Sequence, residues 1–388
     1  MNYILRRFLL INVLVLLLAT SAAPQATMPH GDAQRSRVYA TSGLSAPPAQ
    51  VLWQLDKLFR LKFTEDYVMQ NGPLTIRGEL PTYQSLTAPI VSDETLFFTI
   101  YLDTGYFYAV DARTGKQLVT LKFDDTGLSS PVALGQTVFF GTRRGKLYAY
   151  DVRSRTITWT YEQKDVSFSE AEPVIEGGII YLCSYDSGVF AVAANSGALK
   201  WQFKFDNSLE GPAVQGDYVV VLSNKALIAL DKKSGMKKWE TEIGREFYGP
   251  SILDDQIFVR HVDGEVRAYA LEDGSLRWKS KKEGGARTSL ALYNGSVFYG
   301  EQYGNLVAID ARTGLEKWRF KTKKHCSGPR VAGAILYTRC DDHYLYALDP
   351  ATGALNWKVD TKGSGATPLV ANGVLYSLSS DGYLQAIQ

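Results

Sequence analysis

The sequence is poor in the residues that build metal centres and disulfide frameworks. Only three cysteines (Cys183, Cys326, Cys340) and four histidines (His30, His261, His325, His343) occur in 388 residues. No Cys-x-x-Cys is present and no two histidines stand at zinc-site spacing, which excludes the common zinc modules. Charge of one sign is also lacking. The net charge of +2 is far from the basic stripe expected of a nucleic-acid binder. Gly284-Gly285 precedes neither Lys-Ser/Thr nor a predicted helix, so it is no phosphate loop. Long apolar runs are absent but for one stretch of twelve residues at 8–19, short of the roughly 20 that span a bilayer.

That stretch follows Arg6 and Arg7 and precedes the small residues Thr20, Ser21, Ala22 and Ala23. A positive start, an apolar run and small residues make an export signal, with cleavage expected near Ala22. The signal is therefore 1–22, and the product is periplasmic or secreted. An uncleaved anchor is the alternative. Residues 23–48, rich in Ala, Pro, Gln and Ser, read as a flexible linker. No Cys follows the apolar run, so a lipid anchor on a new N-terminal Cys is not expected.

What the chain does have is a repeat of about 40 residues. One half reads Ala-x-Asp-x-x-Thr-Gly-x-x-x-Trp. Its fullest copies are Ala308-Ile-Asp310-Ala-Arg-Thr-Gly314-Leu-Glu-Lys-Trp318 and Ala347-Leu-Asp349-Pro-Ala-Thr-Gly353-Ala-Leu-Asn-Trp357. Further copies are Ala229/Gly235/Trp239, Ala191/Gly197/Trp201 and Ala268/Gly274/Trp278. Ala149/Trp159 carries Arg155 in place of Gly, Ala109/Gly115 ends on Val119 in place of Trp, and Ala386 opens an eighth copy. The other half is Pro, six residues, then an aliphatic followed by an aromatic or Val, as at Pro89 with Leu96-Phe97.

Each unit reads as four short strands. A Pro suits a strand start, because its missing N–H is not needed there. Pairs such as Asn294-Gly295 and Asn372-Gly373 reverse the chain. The Asp of the Asp-x-x-Thr-Gly turn bonds backbone N–H groups, and Gly takes the left-handed position. Four-stranded units at this period predict an all-β, eight-bladed propeller of antiparallel blades. A buried Trp removes about 150–250 Å² from water, so the tryptophans are expected to wedge the blades apart as structural residues.

The eighth unit shows no Trp strand after Ala386, while Trp53 stands alone in Leu52-Trp53-Gln54-Leu55-Asp56. Residues 49–56 are expected to complete the last blade and close the ring, which removes open edges. The rival closing segment is 73–80. Residues 57–88 form an insertion before the repeats at 89–388.

The Ala-x-Asp-x-x-Thr-Gly-x-x-x-Trp unit resembles the tryptophan-docking motif of the pyrroloquinoline-quinone (PQQ)-like propeller family. In length and unit count the chain is closest to the BamB-like, non-catalytic branch. That resemblance implies an exported scaffold with a protein partner in the cell envelope, no cofactor and no catalytic residue. A monomer is expected. The quinoprotein dehydrogenase branch implies PQQ with Ca²⁺ instead, but its adjacent Cys-Cys pair is missing here and no clustered carboxylate–amide set matches. A third reading is a membrane-proximal sensor or polysaccharide-associated propeller.

Other candidates for chemistry have plain structural readings. Cys183 and Cys340 fall at like places in units across the ring, and Cys326 and Cys340 bracket one predicted strand. All three are expected to be buried thiols. Cys326 beside His325 would make a nucleophile–base pair only if adjacent strand residues faced the same way, which they do not. Asp341-Asp342-His343, Asp263-Gly264 and Asp381-Gly382 are expected turns. The lysines at 232–233, 237–238, 281–282 and 321–324 are expected to be solvated edges.

Overall fold

The computed structural model describes residues 38–39, 43–44, 46–48, 50–55, 60–69 and 72–81. From 88 onward it describes all but 102–103, 126, 170–171, 206–209, 246, 283, 286–287, 362–367 and 379–383. The expected signal at 1–22, His30 and the Asp381-Gly382 turn lie outside the described residues.

Eight antiparallel sheets form the blades of a ring. Blade 1 comprises Ile90–Ser92, Thr95–Tyr101, Gly105–Asp111 and Gln117–Phe123, running from the axis outward. Blades 2 to 7 repeat this order, beginning at Val132, Val174, Ala213, Phe247, Ala291 and Arg330. First strands of neighbouring blades 1 to 7 pack side by side around the axis. Turns between first and second strands use left-handed residues, for example Gly177 (φ 58°) with Gly178 (φ 76°) and Asn294 (φ 46°) with Gly295 (φ 65°).

Blade 8 is made from two distant parts of the chain. Leu369–Ala371, Val374–Leu378 and Leu384–Ile387 supply three strands, and β2 (Val51–Leu55, after β1 at Val38–Tyr39) supplies the outermost. Trp53 lies opposite Ala386, the register expected of a closing strand. Gln50 and Gln388 exchange two backbone hydrogen bonds of 2.9 Å each. Segment 73–80 does not take this place. It belongs to a hairpin of β3 (Arg60–Met69) and β4 (Gly72–Pro81), paired from Arg60 with Pro81 to Met69 with Gly72. The insertion is thus a two-stranded ribbon forming a sheet of its own.

Two expectations are corrected. The linker expected over 23–48 is attached at its end: β1 pairs in parallel with the first strand of blade 7, Val38 opposite Val331, and Leu44 is buried. Cys326 and Cys340 are not thiols but a disulfide, with 3.9 Å between Cα atoms, flanking the first hairpin of blade 7. Cys183 is buried and takes no part in the disulfide, as expected.

Candidate functional site

The residues singled out by the repeat all meet at the seams between blades. In seven blades the Ala of the third strand faces a Trp of the fourth: Ala149–Trp159, Ala191–Trp201, Ala229–Trp239, Ala268–Trp278, Ala308–Trp318, Ala347–Trp357 and Ala386–Trp53. In blade 1 Ala109 faces Val119. On the Ala's other side stands the second-strand aromatic, such as Phe298 opposite Ala308. The small Ala lets the large rings on either side reach each other, with centroids 5.7 Å apart for Phe298 and Trp318 and 5.9 Å for Phe258 and Trp278. A β-bulge follows each paired Ala from blade 1 to blade 7 and re-aims the outer strand.

Each indole then reaches the next blade. Trp Nε1 donates to the carbonyl just after the first residue of the neighbouring turn: Ala112 for Trp53, Ala194 for Trp159, Lys232 for Trp201, Leu271 for Trp239, Ala311 for Trp278 and Pro350 for Trp318, all at 2.9–3.1 Å. The turn's Gly lies flat on the indole. A Cβ built at Gly115, Gly197, Gly235, Gly274, Gly314 or Gly353 would come within 2.5–2.8 Å of a ring atom of Trp53, Trp159, Trp201, Trp239, Trp278 or Trp318 respectively. Positive φ and close approach both demand Gly there.

The blade 1–blade 2 seam departs from this pattern on both sides at once. The Val119 side chain has no N–H to donate, and the facing turn carries Arg155 at φ 58°. Aromatics fill the space instead, Phe107 stacking on Phe140 at 4.6 Å and touching Tyr150 at 5.1 Å.

The turn aspartates hold these loops. Asp310 Oδ1 accepts from the N–H groups of Arg312 and Thr313 and from the Thr313 hydroxyl, at 3.0 Å each. Burial pushes its carboxyl up, and these donors with Lys317 more than reverse it, so the carboxyl ends below its usual range. Asp111, Asp231 and Asp349 have the same arrangement and are likewise lowered, chiefly by the Thr or Ser three residues on.

Away from the seams, a groove of about 470 Å³ opens across blades 2 and 3. Its walls include Leu134, Phe139, Ile179, Asn195 and Lys200. A second hollow of about 260 Å³ shares Ile179 and Lys200 and extends to Tyr181, Trp201, Lys232 and Lys233. Its rim includes the turn Gly177-Gly178, where an added Cβ would meet nothing within 4 Å. Leu134 is 46% exposed at the rim. Lys232 pairs with Glu176 at 3.0 Å, while Lys200 and Lys233 leave the rim cationic. The pair expected to be a solvated edge, Lys232-Lys233, therefore lines a hollow.

Blades 5 and 6 hold a buried polar lock that the sequence reading missed. Arg260 is fully buried, lies 4.4 Å over the Tyr299 ring, and donates to the carbonyls of Gly300 (2.8 Å) and Gly284 (3.3 Å) and to the Thr288 hydroxyl. Burial brings its guanidinium down to about 10. The available signal was a basic residue in the apolar run Ile257-Phe258-Val259. Nearby, buried Glu301 accepts from Arg319 and Asn305 at 2.7 Å each.

Asp263 bonds His261 Nδ1 at 2.7 Å and Lys282 at 2.9 Å, a closed surface pair at its turn. His325 stands 3.6 Å from Asp341, and Cys326 is disulfide-bonded, so the two form no nucleophile–base pair. Among the described residues no three His, Cys, Asp or Glu side chains converge as a metal site. The bonded cysteines are 14 residues apart rather than adjacent. The adjacent Cys-Cys pair that the dehydrogenase branch implies is therefore not supplied by these residues.

A family model described as outer membrane protein assembly factor BamB matches residues 42–206, 185–324 and 304–388. The chain belongs to this BamB-like family of PQQ-type propellers. BamB from Moraxella catarrhalis superimposes with a TM-score of 0.63 at 20% identity, over 78% of this chain and 93% of that one. The computationally designed Ika8 protein gives 0.67 at 14%, over 79% and 96%. Quinohemoprotein alcohol dehydrogenase from Comamonas testosteroni gives 0.66 at 13%, over 95% and 81%. At these identities the likeness establishes the fold alone. No curated protein sequence matches the chain.

Proposed function

We propose that this BamB-like propeller is an exported, monomeric, non-catalytic scaffold that binds a protein partner in the cell envelope. The observation that carries this reading is the family match, which runs along the chain from residue 42 to 388. The Cys326–Cys340 bond supports an oxidising compartment, where such bonds persist. The groove across blades 2 and 3, with the hollow that continues to Lys232 and Lys233, is the proposed place of contact. Its apolar floor beside Lys200 and Lys233 suits a partner segment bearing an apolar side chain next to a carboxylate.

The reading is tested with the partner recovered from envelope preparations by crosslinking. Leu134→Asp and Lys200→Glu are expected to weaken its binding at least about tenfold, as for contacts at an interface centre, with the melting temperature unchanged. Undiminished binding by both variants removes the groove from the proposal. Dye reduction with alcohols after adding PQQ and Ca²⁺ overturns the non-catalytic reading altogether. Mass spectrometry of the mature protein is expected to find the N-terminus just after Ala22.

A further inference from the structure

The blade 7–blade 8 seam has a donor like the others but no turn to receive it. Trp357 Nε1 is placed as in the other six indole seams. Yet blade 8 takes its third strand from Leu384–Ile387 and its fourth from β2, so no hairpin turn joins the two. The acceptor is the carbonyl of Leu44, at 3.0 Å. The Leu44 N–H in turn donates to the Tyr337 hydroxyl at 2.7 Å. At the blade 8–blade 1 seam, Trp53 and Tyr376 converge on the Ala112 carbonyl, at 2.9 and 3.3 Å. Leu44 therefore occupies the position of a turn residue, though it lies outside any hairpin.

The fit is tight. A Cβ on Gly43 would meet the Ala332 carbonyl oxygen at 2.4 Å and the Tyr337 hydroxyl at 3.1 Å. The Leu44 side chain is 8% exposed and joins the cluster of Trp53, Tyr337 and Trp357. Upstream, β1 runs beside the first strand of blade 7, next to the axis, and also touches the first strand of blade 6. The described pieces of the N-terminal segment thus lie beside the axis as β1, at the seam as Gly43-Leu44 and on the rim as β2.

We infer that Gly43-Leu44 is a latch that replaces the missing turn of blade 8, so that the ring is closed by two successive N-terminal pieces, a seam latch and an edge strand. The latch is the only one of the seven indole contacts made by a segment that can leave without breaking a blade. It is consequently the device through which a pull on the N-terminus, or its release, reaches the ring.

Hydrogen exchange on the full chain, read at the Leu44 amide and the Trp357 indole N–H, tests this. In the unaltered protein both are expected to exchange at least about a hundredfold more slowly than in a free peptide, as for hydrogen-bonded buried groups. Gly43→Val is expected to speed both by at least about tenfold, the loss of one buried hydrogen bond, while the Trp278 indole keeps its rate. Gly373→Ala, at a blade 8 turn with open space around it, controls for general weakening of that blade. The inference is overturned if Leu44 exchanges freely in the unaltered protein. It is equally overturned if Gly43→Val leaves both rates unchanged, or if Gly373→Ala speeds them as much. Should Gly43→Val fail to fold, the rates of the unaltered protein decide alone.

Discussion

The doubly altered blade 1–blade 2 seam gives a quantitative test of how the ring is held. In the six seams with a hairpin turn, the Gly position stands so close to the indole that a Cβ would fall within 2.5–2.8 Å of it. A Trp on one blade and a side chain on the next turn are therefore mutually exclusive. Val119 and Arg155 are the one pair that keeps neither. Val119→Trp alone should destabilise, because the indole meets the Arg155 Cβ, an overpacking cost of about 1–3 kcal/mol. Arg155→Gly alone should stabilise by up to about 1 kcal/mol, since φ 58° suits Gly. Together they should install an eighth seam with a bond from the new indole to the Val152 carbonyl. Burying an indole contributes at most about 4–6 kcal/mol at 25 cal/mol/Å². The half-buried Val119 and the aromatics already present offset most of it. The double variant is expected to be more stable than the parent by about 1–2 kcal/mol, with a coupling energy of at least about 1 kcal/mol, as for residues in contact. Urea unfolding of all four proteins measures it. A coupling energy near zero refutes the seam geometry as the reason for the Trp–Gly pairing.

Other expectations concern closure, redox state and pH. Trp53→Ala should cost about 3–5 kcal/mol, as for a large buried aromatic, and lower the melting temperature. Denatured, unreduced protein should titrate one thiol, Cys183, against three after reduction; three before reduction would disprove the disulfide. Cys326→Ser with Cys340→Ser should lose about 3 kcal/mol, the chain-entropy value for a loop of this length. The turn aspartates have carboxyls lowered from 3.8 in the folded protein. Their contribution to stability is therefore complete above the unfolded value of about 4 and is lost as pH falls through the lower folded values. The melting temperature should be level from pH 7 to about 5 and decline below about 4, and a level profile down to pH 2 would contradict the turn assignment.

What the sequence revealed follows from what a repeat encodes. Turn chemistry and strand alternation are local, so Asp310, Gly314 and Trp318 announced their roles, and the match of Trp53 to Trp201 and Trp357 announced closure. Features that depend on one residue of register, or on which blades are neighbours, stayed hidden. The first hairpin of blade 7 pairs Arg330 with Tyr337 and Val331 with Leu336. Continued without interruption, that register sets Cys326 opposite Asp341. A slip of one residue sets it opposite Cys340 instead, and a single slip changes which side chain is faced. Val119 and Arg155 were visible as two separate departures, but only the ring order makes them one. The latch had no compositional mark beyond Leu44, the single large aliphatic between residues 40 and 50.

The motif and the partner site divide the surface between them. Trp, Ala, Gly and Asp of the repeat are engaged by the seams, so they specify a propeller; of them only Trp201 also borders the proposed contact place. Binding information must then reside off the motif, where blades differ, as at Leu134, Gly177-Gly178, Lys200 and Lys233. A substitution scan should therefore separate into two groups. Trp278→Phe and Gly314→Ala should lower the melting temperature and leave partner affinity intact at a temperature where the protein is folded. Lys200→Glu and Leu134→Asp should do the reverse, because both side chains are solvated in the free protein and hold no seam. If seam and groove substitutions move stability and affinity in proportion, binding uses the ring as a whole, and the division drawn from the geometry is wrong.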